Sequence, residues 1–596
     1  MIRRSAPGIA LGALVAATAP AAAPVAQHEI RAALDVPGHR LVATDVVTLG
    51  EGPDGPWHFC LNAELEVASV RVDGADLDFA PREGWDPRRY WDRPPYAELD
   101  AFRVVREIRV EPPAGGWRDA PRIEIAYAGV IADSLHAPER AYGRSFESTT
   151  GRIVERGAYL DASTFWVPWS GEGTFTFDLQ VEGPADWRAI SQGRLADVPG
   201  VSDASRGTMR WVCEHPMEEV YLIAGPYVIE RRDHGGISLE TWVYADTPAD
   251  VSRPYLDAAA EAIDRFSEQL GPYPFSKFAL VENYWQTGYG MPGFTFLGDR
   301  VIRLPFIVHT SYPHEILHNW WGNCVFVDGG NWCEGLTTYG ADYAAREREG
   351  GSAARDYRRD TLIGYRDFAA DGGRDFALSR FRERDSAATQ AVGYGKTLMV
   401  FHMLRRRLGD EAFGAALRRF YLDHRFRAAS WEDVRASFEA ETGEELEEFF
   451  AQWVQRPGAI RLSLDAVSRR RGSDGSWEVR GELVQAAPAF RAPVELAATA
   501  ADGSVARTLV EIAGERTPFR WSPGFRPVRV SADGGFHLFR ILHDEEVAPV
   551  LSGVLGARTT RIVLGADESD DVRAALRDLA DAWAEDSTFA VVDEAG

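Results

Sequence analysis

Along the first third of the chain, hydrophobic and polar positions alternate. The stretches 57–74 (WHFCLNAELEVASVRVDG), 102–113 (FRVVREIRVEPP) and 174–184 (TFTFDLQVEGP) keep a period of two, and the first ends on Asp73-Gly74. A period of two places one face of a strand in a core, and an Asp-Gly pair is a turn signal. These stretches predict an antiparallel β-rich region over 27–233, where no cluster of catalytic residue types stands. Near 250 the period lengthens. Residues 255–271 carry apolar side chains at helical spacing and stop at Gly271-Pro272. KFALVENYW (277–285) reads as a buried strand, and the glycine-rich TGYGMPG (287–293) follows. From 311 to 456 helical spacing dominates. Residues 397–409 are amphipathic with a basic end and a glycine stop, and 430–443 opens on Ser430 as an N-cap. Beyond Pro457-Gly458 the alternation returns in 461–470, 477–485 and 526–532, predicting a small β-sandwich to about 545. The remainder, from 558 to 593, reads strand, helix, strand.

A chain of 596 residues is too long for one core. The textures divide it into an α+β multidomain protein: a leader at 1–26, a β-rich domain at 27–233, a mainly helical domain at 234–458, a β-sandwich at 459–545 and a small α/β tail at 546–596. The hydrophobic share of 45% and charged share of 26% are those of an ordinary globular protein. A net charge of −25 argues against nucleic acid as a partner, because phosphate binding runs on Lys and Arg. Arg3 and Arg4, the apolar run from Ile9 to Ala19 and the small residues around Ala21 have the form of an export signal. That run is short for a bilayer, and no later one reaches a membrane helix, so a soluble periplasmic or extracellular protein is expected. Four cysteines are too few for a disulfide scaffold. Cys324 and Cys333 bracket a short loop, either as a brace formed by a disulfide or as two packed thiols.

The sharpest chemical signal is HEILH at 314–318. Residues four apart on a helix share a face, so His314 and His318 are able to reach one cation with Glu315 beside them. A hydrolytic zinc site takes three protein ligands and leaves one position for water. Glu334, in NWCEGLTTYGADY (331–343), begins what reads as a second helix and supplies the third ligand if a short loop returns that helix beside the first. The alternative for Glu334 is an acid that stabilises a helix N-terminus. His309 stands five residues before His314 and suits neither helical pairing, so it reads as solvated or packed. The run ETGEELEE (441–448) lacks the spaced ligands of a calcium loop and reads as an exposed helix face.

HEILHNWWGN, the downstream CEGLTTY, VGYGKTLMVFHMLRRRLGD (392–410), GPYPFSKFALVE (271–282) and residues 433–458 together resemble the aminopeptidase N family of zinc metallopeptidases, of the gluzincin type. The resemblance spans roughly 30 to 460. It implies a β-rich N-terminal domain, a thermolysin-like catalytic domain, one zinc ion, and a peptide or protein substrate. It also implies that Tyr394 steadies the transition state, as a phenol aimed at a developing oxyanion would. Two departures stand out. Fifteen residues separate His318 from Glu334, fewer than the family usually has, and the shortfall falls in VFVDGGN (325–331). The family's Gly-Ala-Met-Glu-Asn segment, whose glutamate holds the substrate's α-amine, corresponds to Gly288-Tyr289-Gly290-Met291-Pro292-Gly293, with no glutamate. Glu282, upstream, is the candidate substitute.

The expected chemistry is metal-assisted hydrolysis with Glu315 as general base and Tyr394 as oxyanion donor. A zinc hydrolase of a non-peptide bond keeps the same parts, because fold and site do not fix a substrate. A retired zinc-binding protein is the third reading, and the intact Glu315 and Tyr394 speak against it.

Overall fold

The computed structural model describes residues 25–82, 105–136, 147–171, 173–198, 207–370, 373–547, 560–564, 569–583 and 589–593. The expected leader lies outside them except for residues 25 and 26, which open the Val25–Asp35 strand. Two compact units emerge, one of residues 1–357 with 376–457 and one of 358–375 with 458–596.

In the first unit the alternating segments form an eight-stranded sheet. Its order is 194–196, Thr208–Met217, Phe175–Glu182, Val25–Asp35, Arg40–Leu49, Arg122–Val130, Leu65–Val72 and 75–76. Neighbours run antiparallel except Val25–Asp35 against Phe175–Glu182, which is parallel. The strand Arg40–Leu49 buries every second residue, the signature of a sheet with one face in a core. Trp57–Asn62 departs from that pattern: it is buried throughout and pairs with Val105–Val110 in a separate three-stranded sheet.

The sheet that positions the site has five strands, ordered Tyr227–His234, Ile237–Tyr244, Lys277–Asn283, Phe294–Gly298 and Gly288–Met291. It takes in residues 227–233, which the alternation assigns to the preceding region. Lys277–Asn283 is buried at every position and pairs in parallel with both neighbours, as a run of apolar residues between two covered faces requires. The helix Ser252–Leu270 makes the crossover and ends at Gly271, whose amide bonds back to Ser267. Met291 and Phe294 close a hairpin through Pro292-Gly293, and φ of +81° at Gly293 is the left-handed conformation that glycine tolerates. Gly288–Met291 is therefore an edge strand. Tyr159, Trp211, Trp242, Trp285, Phe294 and Phe296 fill the core on one side of this sheet.

The helices from Ser311 to Trp453 follow. Ser430 caps Trp431–Thr442 in a reciprocal box with Asp433, as its position suggested. In the second unit two three-stranded sheets make the sandwich, Leu462–Arg471, Trp477–Gln485, Arg516–Trp521 and Val505–Ile512, Ala492–Ala500, Pro527–Ala532. The segment 358–375 belongs to this unit: Arg358 donates to the carbonyls of Gly535 and Phe536, and Tyr365 packs edge-on to Phe539. In the tail, Thr560–Leu564 and Phe589–Asp593 pair in parallel with the helix Asp570–Trp583 between them in sequence.

Candidate metal centre

The helix Ser311–Leu317 carries HEILH, with His318 as its C-cap. One turn separates the histidines, and their Nε2 atoms stand 3.2 Å apart. The carboxylate of Glu334 comes to 3.5 Å from His318 Nε2 and 3.9 Å from His314 Nε2. Among the described residues these three make the one group of His, Cys, Asp and Glu side chains arranged to share a cation. Ligands about 2.05 Å from a tetrahedral zinc ion lie roughly 3.3 Å from each other. Two imidazoles and one carboxylate at these separations fit zinc in donor type and in spacing.

Both Nδ1 atoms are held. His314 Nδ1 meets Asp342 Oδ2 at 2.6 Å, and His318 Nδ1 meets the carbonyl of Trp321 at 3.1 Å. Such partners fix the tautomer and turn Nε2 toward a metal. The trimmed loop leaves the third candidate ligand in register. Asn331 Oδ1 accepts from the amides of Cys333 and Glu334, starting the helix Cys333–Thr337 where its carboxylate reaches the histidines. Thr338–Tyr343 then continues as a π-helical turn. In a regular helix a residue eight positions beyond Glu334 would sit about 80° around the axis. The π turn absorbs one residue and returns Asp342 to the face of Glu334.

Charge at the site is organised around these contacts. Burial pushes the Glu334 carboxyl up, but the two imidazoles outweigh it and hold the group well below the usual carboxylate range. Burial pushes His314 down, and Asp342 with Glu334 more than reverses this, to about 9. Burial raises Glu315, with the neighbouring imidazoles pulling it partly back. An acid shifted upward in this way is better matched to taking a proton near neutrality.

Tyr394 lies in a second π-helical turn, Ala391–Lys396, close enough to Glu334 to feel its charge. Burial and the Glu334 charge keep it a phenol, far above its usual titration. Its place depends on Gly335: a Cβ there would stand 2.2 Å from Thr397 Cβ and 3.0 Å from the Gly393 carbonyl. Glycine thus lets the two site-bearing helices approach closely. Asn319, directly after HEILH, accepts from the Gly293 amide at 2.8 Å and from Tyr273, and it donates to the Ile316 carbonyl. It ties the metal helix to the edge-strand hairpin. At that hairpin a Cβ on Gly290 would lie 2.6 Å from Glu315 Oε2, so the strand backbone walls the site beside the base. Trp321, Trp332 and Phe420 pack together with centroids 5.1–6.2 Å apart, burying the run that follows HEILH.

Two points left open by the sequence are described by the structure. Glu282 is fully enclosed: it accepts from the Tyr244 amide at 2.8 Å and Thr247 Oγ1 at 2.5 Å, and lies 3.3 Å from Arg303. Its partners hold it inside the fold. Cys324 and Cys333 are both free thiols, so the loop is braced by Asn331 and the aromatic packing instead. Sequence reading did not identify Asp342 or Asn319. The signal for Asp342 was an acid two helical turns beyond Glu334, masked by the extra residue of the π turn.

Residues 307–453 match the Peptidase family M1 domain. The chain is 26% identical over 369 residues to Aminopeptidase M1 of Arabidopsis thaliana, covering 56% of this chain and 40% of that protein. It is 26% identical over 429 residues to Aminopeptidase M1-B of Oryza sativa subsp. japonica, covering 66% and 46%. The chain therefore spans less than half the length of these relatives. In fold it matches the crystal structure of a point mutant of an M1 zinc metallopeptidase from Deinococcus radiodurans, at a TM-score of 0.55 and 18% identity, covering 72% of this chain and 94% of that one. A mutant two-domain M1 zinc metallopeptidase bound to L-arginine matches at 0.54 and 18%, covering 73% and 94%. The motif and the sheet beside it stand where the matched model does: residues 307–453 carry a Peptidase family M1 domain, and the chain is similar in sequence to M1 aminopeptidases and in fold to M1 zinc metallopeptidases.

Proposed function

We propose that this chain is a zinc peptidase in which His314, His318 and Glu334 hold one ion, Glu315 is the general base and Tyr394 the oxyanion donor. The observation that carries the proposal is the convergence of two imidazoles and a carboxylate within 4.8 Å, with Glu315 next in sequence to one of them. A zinc ion at this place supplies Lewis acidity and an acidified water. Glu315 takes the proton of the attacking water and passes it to the departing amine, a task suited to its raised pKa. Tyr394 donates to the oxygen on which charge develops, and its high pKa keeps that proton in place.

The enclosure of Glu282 and the proline at 292 favour a peptidase that does not rely on either position to grip a free α-amine. Matched peptides with free and acetylated N-termini test this. Cleavage of both is expected, lost in Glu315→Gln. Cleavage of free peptides alone would show that another group anchors the amine, and cleavage of neither by zinc-loaded protein would defeat the peptidase reading. The charged start and short apolar run within 1–26, which have the form of an export signal, support secretion, and a mature N-terminus that retains Arg3 would refute it.

A further inference from the structure

Beside the N-terminal end of the metal helix lies a cleft of about 310 Å³. Arg265 and Glu261 from the helix Ser252–Leu270 form one wall, and Arg348 and Glu349 from the helix Ala344–Glu349 another. His309 and Pro313, on the approach to His314, complete it. The acids are already committed. Glu261 receives Arg265 Nη1 at 3.2 Å, and Glu349 holds Arg346 through two 2.9 Å contacts.

The remaining polar groups are less well served. Arg348 has no salt bridge and His309 no side-chain hydrogen bond among the described residues. Arg265 lies half-buried over the Phe266 ring at 4.9 Å, and its Nε is buried without a hydrogen-bond partner. Burial and the charge of Arg348 both weaken its hold on its proton. Two guanidinium groups that repel each other across a cleft, one with an unused buried N–H, are an unusual arrangement in a chain of net charge −25. An anion between them would remove the repulsion and bond to the guanidinium N–H groups that face the cleft. Guanidinium forks match the paired oxygens of carboxylate and phosphate, and a volume near 300 Å³ holds a small ligand rather than a macromolecular segment.

We propose that the cleft bounded by Arg265, Arg348 and His309 binds a small oxyanion, a phosphate or an organic carboxylate, separately from the metal centre. The ligand would sit against the segment that leads directly into HEILH. Equilibrium dialysis of the zinc-loaded protein with radiolabelled inorganic phosphate, and separately with succinate, tests it. Saturable binding of one or both, with Kd of about 1 mM or below, is expected. Phosphate alone would identify a phosphate-bearing ligand, and succinate alone a carboxylate. Arg348→Glu and the milder Arg348→Gln should weaken this binding about fivefold or more, the loss of a charge-assisted hydrogen bond, with zinc content unchanged. Arg348 is exposed, so neither variant threatens the core. Phosphate held by the metal would be indifferent to residue 348. No saturable binding of either probe, or a weakening below about fivefold in both variants, overturns the proposal.

Discussion

Asp342 is the sharpest test of how the centre is built. Its carboxylate meets His314 Nδ1 at 2.6 Å, half-buried, on the side of the ring away from Nε2. Asp342→Ala removes a charge-assisted hydrogen bond and frees the imidazole to rotate or change tautomer. Loss of such a partner costs about 10–100-fold in metal affinity, or roughly 1.4–2.7 kcal/mol. Asp342→Asn keeps an acceptor of the same shape and loses only the charge, so its loss should fall at the lower end. Competition with a chelator of known zinc affinity measures both. Turnover at saturating zinc should fall far less than affinity does, because the residue acts through His314. Zinc affinity within about twofold of wild type in the Asp342→Ala protein would refute the reasoning, leaving the 2.6 Å contact without a role in metal binding.

Three further substitutions probe other parts. Glu315→Gln should retain stoichiometric zinc by atomic absorption and lose about 10²–10⁴ in kcat, and activity in the metal-loaded variant would remove Glu315 as the base. Gly335→Ala forces a Cβ to 2.2 Å from Thr397 Cβ, so destabilisation of about 1–3 kcal/mol in thermal melts is expected, together with weaker zinc binding as Glu334 shifts. An unchanged melt would mean the helices have room to part. Away from the site, burial beside Asp161 raises Glu219 to about 7. An acid whose folded pKa is raised favours the fold below its unfolded value and loses that contribution as pH climbs to about 7. Glu219→Gln should therefore match wild type near pH 4.5 and be the more stable of the two near pH 8, and parallel stability curves would contradict this.

Much of the site was legible because its signals are local. HEILH needs only helical periodicity to bring two imidazoles together, and Glu334 needs only a short return. Ser430 and Gly271 marked helix ends through properties of their own side chains or backbones. What escaped depended on partners distant in sequence or on irregular backbone. Glu282 read as an available acid because Tyr244, Thr247 and Arg303, which enclose it, come from other segments. Asp342 was hidden by the π turn. The strand at 227–234 shares its alternating pattern with the preceding sheet, and only its pairing with Ile237–Tyr244 assigns it to the next one.

The second unit is assembled from two stretches of chain, 358–375 and 458–596, with 82 residues of the first unit between them, 376–457. During synthesis the earlier stretch leaves the ribosome long before Gly535, Phe536 and Phe539 exist to receive Arg358 and Tyr365. Until then the side chains of that stretch are an unfilled half of an interface, open to solvent and to other chains. The order of manufacture and the order of folding therefore cannot coincide for this unit. A chain released after Pro457 would contain every proposed zinc ligand and still carry a helix segment whose native partners were never made.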